Sequence, residues 1–216
     1  MIRAFQSPRV WQDSGVGLTP QQFEQVQYRL RRGGRGTAAI GLATPHWLGT
    51  GSVIIGIDPS LRGTGYGVIR LARTIPAALA YGTIECPARW ERSRCLVKIA
   101  QVLREVMAQQ QPGVAVIEGL FFAQNLQTAL LMGEARGVCM LAAAEAGLEL
   151  YEIAPRKVKQ AIVGYGAAQK LAVAKMVQRL LRLEAMPAPD AADALALALA
   201  LAQQTGRFAL SLPRKI

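Results

Sequence analysis

The chain contains only four aspartates, and three of them, Asp58, Asp190 and Asp193, stand where a core-facing element would ordinarily be apolar. Asp58 closes the run Val-Ile-Ile-Gly-Ile and Glu118 closes Val-Ala-Val-Ile. Each carboxylate is therefore predicted at the C-terminal end of a buried strand, the edge at which open α/β sheets bind ligands. Asp190 and Asp193 are three residues apart on a predicted helix and share one face of it. Acids gathered at one place repel each other, and their pKa values rise unless a cation sits among them. Oxygen-only donors suit Mg²⁺ or Mn²⁺ rather than zinc. Two such ions about 4 Å apart can activate water on one side and stabilise the leaving oxygen on the other, in an in-line phosphodiester displacement. Each acid also has a plain structural reading. Asp190 after Pro-Ala-Pro can cap a helix with Asp193 favouring its dipole, Asp58 before Pro59 can form an Asx turn, and Glu118 before Gly119 can be a solvated strand end.

The rest of the composition narrows the chemistry. His46 is the only histidine, so Ser-His-Asp, Cys-His and HExxH mechanisms have no support. Cys86, Cys95 and Cys139 are odd in number and lack CxxC spacing, which suggests small core residues in a reducing cytosol rather than disulfides or a thiolate metal site. Lys and Arg number 25 against 14 acids, for a net charge of +11, which suits a polyanionic partner, nucleic acid first. No long apolar run suggests a membrane span, and the first residues lack the apolar region of a secretion signal, so a cytoplasmic location is expected.

Chemistry of this kind needs a sheet to position it. Residues 1–52 carry six Arg, no Lys and two acids, and read as a basic, Gly- and Arg-rich extension that could touch nucleic acid or be disordered. Within it Thr19-Pro20, followed by Phe23, Val26 and Leu30, predicts a short helix. Residues 53–205 form the expected catalytic domain and 206–216 a short tail. Strands are predicted at 53–58, 66–71 and 79–86, helices at 91–110 and 125–146, and further strands at 114–118 and 148–153. Three more helices are predicted at 155–163, 169–183 and 190–204, with Gly164 and Pro187-Ala188-Pro189 as breaks. The order βββαβαβααα implies an α/β fold with a mixed five-stranded sheet flanked by helices.

The segments Gly56-Ile-Asp58-Pro-Ser-Leu-Arg-Gly-Thr-Gly65-Tyr-Gly67-Val-Ile69, Ile117-Glu118-Gly-Leu-Phe121-Phe-Ala-Gln-Asn125, Ala154-Pro-Arg-Lys-Val-Lys159-Gln, Gly164-Tyr-Gly166-Ala-Ala-Gln-Lys170 and Asp190-Ala-Ala-Asp193-Ala-Leu195-Ala closely resemble the motifs of RuvC-type Holliday-junction resolvases, in order and spacing. The resemblance covers about residues 53–204. It implies an RNase H-like fold, a cytoplasmic homodimer and two symmetric nicks across a four-way DNA junction in recombination and repair. It also implies RuvA and RuvB as partners, and two Mg²⁺ per site, with Mn²⁺ as a possible substitute. Asp58, Glu118, Asp190 and Asp193 then become metal ligands. Lys159 and Lys170 become phosphate or transition-state contacts, with Lys170 counted among the catalytic residues, Arg156 is a further DNA contact, and Phe121 stacks on an unpaired base.

Alternatives remain at this point. Lys159 and Lys170 can be solvated helix positions, and Phe121 or Phe122 can belong to the core. A kinase-like ATPase could use Asp58 with Gly63, Gly65 and Gly67, although no second phosphate hairpin recurs. A junction-binding protein without catalysis, or another RNase H-like nuclease, would also fit the basic surface.

Overall fold

The first strand, β1 (Val53–Asp58), is an apolar run buried on both sides, and Ile54, Ile55 and Ile57 are fully inaccessible. It runs antiparallel to β2 (Gly63–Arg70), which pairs antiparallel with β3 (Ala77–Glu85). On its other side β1 lies parallel to β4 (Val114–Glu118), and β4 lies parallel to β5 (Glu149–Ile153). The helices are α1 (Arg92–Gln110), α2 (Leu126–Glu145), α3 (Pro155–Val163), α4 (Lys170–Leu181) and α5 (Pro189–Gln204). This computed structural model describes residues 49–119, 126–204 and 213–216, all within the unit Thr44–Ile216. The predicted helix near Thr19 lies outside the described residues.

The sheet order is β3-β2-β1-β4-β5-β6, one strand more than the five expected. The addition is β6 (Arg214–Lys215), antiparallel to Tyr151 and Glu152 of β5. Its two basic residues carry no apolar alternation. What recruits them is the open hydrogen-bonding edge of β5 and the Lys215–Glu149 ion pair. At the other boundary, Ser52 is already engaged, since its carbonyl accepts from Leu71 N at 2.8 Å. β2 begins three residues before its predicted start because Gly63, Thr64 and Gly65, which fall between the predicted strands, pair with β3. Among the described residues no helix is long and apolar enough to cross a membrane.

Side chains alternate across the strands, so the sheet has two different cores. Ile54, Val114, Val116, Tyr151 and Ile153 pack with α3, α4 and α5, through Val158, Ile162, Val173, Val177 and Leu195. Ile55, Ile57, Ala115 and Ile117 pack on the opposite face with α1 and α2, through Ile99, Leu103, Ala135 and Cys139. The three cysteines are buried and free.

Helix α5 is apolar nearly all round because it is covered all round: from Ala194 to Leu201 no residue is more than 3% exposed. It approaches the sheet so closely that β1 and β2 must present glycine beneath it. A Cβ on Gly56 would lie 2.0 Å from Ala194 O, one on Gly65 would lie 2.0 Å from Asp190 O, and one on Gly67 would lie 2.7 Å from Leu195 N. These obstacles are backbone atoms that cannot swing aside. Gly65→Ala is therefore expected to destabilise the domain by at least the about 1–3 kcal/mol of ordinary overpacking. Gly133→Ala, where a Cβ meets nothing of its own chain within 4 Å, should leave the fold of the single chain unchanged or stabilise α2 by up to about 1 kcal/mol, any cost falling on contacts that α2 makes with a second copy. Chemical denaturation of the two variants checks this, and equal stabilities would contradict the close approach.

Candidate active site

Strand parity sets the first half of the site. Asp58 follows Ile54 and Gly56 by steps of two, and Glu118 follows Val114 and Val116 likewise, so both carboxylates emerge on the face that α5 covers. The turn after Asp58 is held by buried Thr64, whose hydroxyl donates to Ser60 O at 2.5 Å and accepts from Ser60 N at 3.2 Å. In the β1–β2 register Asp58 stands opposite Gly65, the glycine pressed against Asp190 O.

Helix α5 supplies the second half. Pro189 opens it, and Ala192 N donates to Ala188 O, so Asp190 lies inside the first turn and not at the cap position. Its carboxylate reaches over β2, with Oδ2 lying 2.9 Å from where a Gly63 Cβ would be. One turn on, Asp193 Oδ2 is 3.0 Å from Lys170 Nζ at the start of α4.

The acids act on one another. Burial, the Glu118 and Asp193 charges and a side-chain hydrogen bond to Glu118 push Asp58 up to about 8, against the opposing pull of Lys170. Burial also raises Glu118, reinforced by Asp193 and moderated by the bond to Asp58 and by Lys170 and Lys159. A proton shared between the two strand-end carboxyls would relieve the repulsion of like charges forced together. Lys170 is held charged above its ordinary range by its bond to Asp193, with Asp58 and Asp190 adding to the field.

A cation in place of that proton and that ammonium suits the donor chemistry, since every available ligand is a carboxylate oxygen. Among the described residues no three His, Cys, Asp or Glu side chains close into a ready-made metal cage. A phosphoryl-transfer magnesium needs only one or two carboxylates, with water and phosphate oxygens completing its shell, and the Asp58–Glu118 pair with the α5 acids meets that requirement.

The other predicted residues divide. Lys170 is within the acid cluster, and Lys159 on α3 is near enough to act on Glu118. Arg156 is exposed on α3 and packs over Gly166, where a Cβ would meet its Cγ at 2.4 Å. Phe121 and Phe122 lie outside the described residues. Arg62, in the motif that follows Asp58, spends its Nη1 on Pro87 O at 2.8 Å, Trp90 O at 3.1 Å and Cys95 Sγ at 3.2 Å. Sequence reasoning passed over buried Arg136 on α2, which donates to the Glu118 carbonyl and pairs with Glu152. The only sequence signal was an arginine inside a run otherwise rich in Ala, Gly and Cys.

Residues 54–201 match the family model for crossover junction endodeoxyribonuclease RuvC. A protein of that name from Heliobacterium modesticaldum is 47% identical over 151 residues, covering 69% of this chain and 93% of its own. Another, from Protochlamydia amoebophila, is 44% identical over 152 residues, covering 70% and 90% respectively. Among solved structures, Thermus thermophilus RuvC in complex with a Holliday junction substrate superposes with a TM-score of 0.70 at 30% identity, covering 76% of this chain and 99% of the other.

The shifted proton makes stability depend on pH. The folded chain holds a proton on Asp58 that the unfolded chain, at 3.8, releases; this contribution is fully present below 3.8 and is lost as pH rises through about 8. In EDTA, Asp58→Asn should melt above wild type at about pH 8, by about 2–4 °C for each kcal/mol recovered, with the gap closing toward about pH 4. Melting curves at a series of pH values test this. A gap that stays flat over that range would place the proton elsewhere.

Proposed function

The chain belongs to the family of RuvC crossover junction endodeoxyribonucleases, and from that premise we propose that it resolves four-way DNA junctions by paired symmetric nicks, through metal-dependent phosphodiester hydrolysis. The observation that supports this most is the meeting of two strand-end acids, Asp58 and Glu118, with Asp193 and Lys170 of two helices, beside Asp190, in a chain of net charge +11.

Asp58, Glu118, Asp190 and Asp193 are the residues that would hold Mg²⁺, with Mn²⁺ as substitute, two ions to a site. When bound, the metal supplies charge neutralisation at the scissile phosphate and a lowered pKa for the attacking water. Lys170, its side chain 67% exposed, can exchange Asp193 for a phosphate oxygen as the backbone arrives. Lys159 and Arg156 extend this cationic surface along α3, where phosphates contacted together make binding fall steeply with salt. Phe121, on the segment after Glu118, is the proposed stacking residue for an unpaired base near the crossover. Cleavage of this kind leaves 5′-phosphate and 3′-hydroxyl ends that a ligase can seal.

Two nicks call for two sites, and one face of α2 is suited to bringing a second copy alongside. Leu126, Leu130, Gly133, Gly137 and Leu141 recur at helical spacing and are all exposed. Cβ-free positions at Gly133 and Gly137 open onto empty space and allow close helix contact. A homodimer built there, working in the cytoplasm with RuvA and RuvB, completes the reading.

A labelled mobile four-way junction, incubated with wild type and Asp190→Asn with and without Mg²⁺, tests it. Wild type should give symmetric nicks only with Mg²⁺. The variant should bind the junction but cut at least about a hundredfold more slowly, the loss typical when one electrostatic contact to a transition state is removed. Cutting by the variant at the wild-type rate would exclude Asp190 from the site. Binding by wild type without any cutting would leave a junction-binding protein.

A further inference from the structure

Arg136 is a buried cation that the proposed chemistry does not use. Its residue is 8% exposed, in the middle of α2. Its guanidinium donates from Nη1 to the backbone carbonyl of Glu118 and from Nη2 to the carboxylate of Glu152, so one side chain of α2 ties together the ends of β4 and β5.

The backbone explains why that carbonyl needs a partner. In the β4–β5 ladder Gly119 N donates to Ile153 O at 2.9 Å, so residue 119 faces β5 and residue 118 faces β1. The β1–β4 register ends at Ile57↔Ile117, and the next β1 nitrogen that could reach the Glu118 carbonyl belongs to Pro59, which has no N–H. Asp58-Pro59 therefore ends β1 and leaves its neighbour's carbonyl without a strand donor. Arg136 fills the gap from the face opposite α5. Glu152 lies opposite Ile117 in the β4–β5 register, on the face that α2 covers, and balances the buried charge.

We propose that Arg136 is a positioning residue for Glu118: by fixing the peptide of residue 118 from below the sheet, it sets where the Glu118 carboxylate stands above it. The inference rests on the reading of Glu118 as a metal ligand. Arginine suits the task because its planar fork can address two acceptors on different strands in fixed directions, whereas lysine offers a point charge on a flexible stem. A displacement of even 1 Å at such a ligand can cost about a hundredfold in rate.

The test uses the full chain as wild type, Arg136→Met and Arg136→Lys. It compares melting temperature, junction affinity in EDTA, single-turnover cleavage with Mg²⁺, and Mn²⁺ affinity without DNA by electron paramagnetic resonance of the free ion. Arg136→Lys keeps the buried charge, and serves as the deciding variant where Arg136→Met fails to fold. The expected result is a folded Arg136→Lys protein that binds the junction within about twofold of wild type, binds Mn²⁺ about tenfold more weakly and cuts about a hundredfold more slowly. Wild-type cleavage and Mn²⁺ affinity in that variant would overturn the proposal. So would a loss of junction binding and cleavage in step with a lowered melting temperature, the sign of a merely structural role. If wild type itself did not cut the junction, the proposed function would fail, and the Mn²⁺ comparison would still decide the role of Arg136.

Discussion

The contact on which the rest depends is the approach of α5 to β1 and β2, closer than any side chain between them would permit. Gly56, Gly65 and Gly67 supply the missing Cβ atoms, and Asp190, Ala194, Leu195 and Ala198 supply the opposing backbone. Because both surfaces are main chain, the distance between helix and sheet is not adjustable by rotamer changes, and packing this tight resists small displacements. That fixed height determines where the first turn of α5 meets the ends of the strands. Asp190 and Asp193 arrive beside Asp58 because Ala194 is seated on Gly56 and the backbone at Asp190 on Gly65.

Rigid geometry of this sort concentrates like charge where it is unfavourable. Two strands of matching parity each end in an acid on the face that α5 covers, and burial combines with mutual repulsion to push Asp58 up to about 8 and Glu118 in the same direction. Lys170 and Lys159 relieve the strain only in part. Local conflict with the folding rules is expected where a chain binds something. A dication meets that need better than a shared proton, because it satisfies several oxygens at once.

How much of this was legible follows from what each residue's neighbours in sequence could show. β1 and β4 were predicted to their exact bounds because each is an apolar run stopped by an acid. The start of β2 is not legible because Gly63 and Gly65 carry no side chains to pattern and Thr64 between them is polar; they are strand because they pair with β3, and α5 lies over the two glycines. β6 has two cations and no periodicity, and exists through pairing with β5. Asp190 after Pro-Ala-Pro allowed a cap, yet Pro189 takes the first helical position and moves Asp190 inside the turn. Arg136 was hidden because an arginine on a helix ordinarily means solvent. Only the parity of Glu152 and the proline after Asp58, brought together from three elements, reveal what it bonds.

Two of the cations around Glu118, Arg136 and Lys170, illustrate why the same charge appears in two chemical forms. Arg136 is buried and forked, with one donor on a carbonyl and another on a carboxylate, and removing Glu152 would leave its charge stranded in a low-dielectric interior. It is suited to holding. Lys170 is two-thirds exposed and makes a single ion pair with Asp193, of the kind that solvent screening renders weak and exchange can break. It is suited to letting go. In the proposed function, a polyanionic strand entering above the acids would need ligands that stay where they are and a counter-charge that can transfer to it. An arginine beneath the sheet and a lysine above it divide those two requirements, and exchanging the two residue types would strain both.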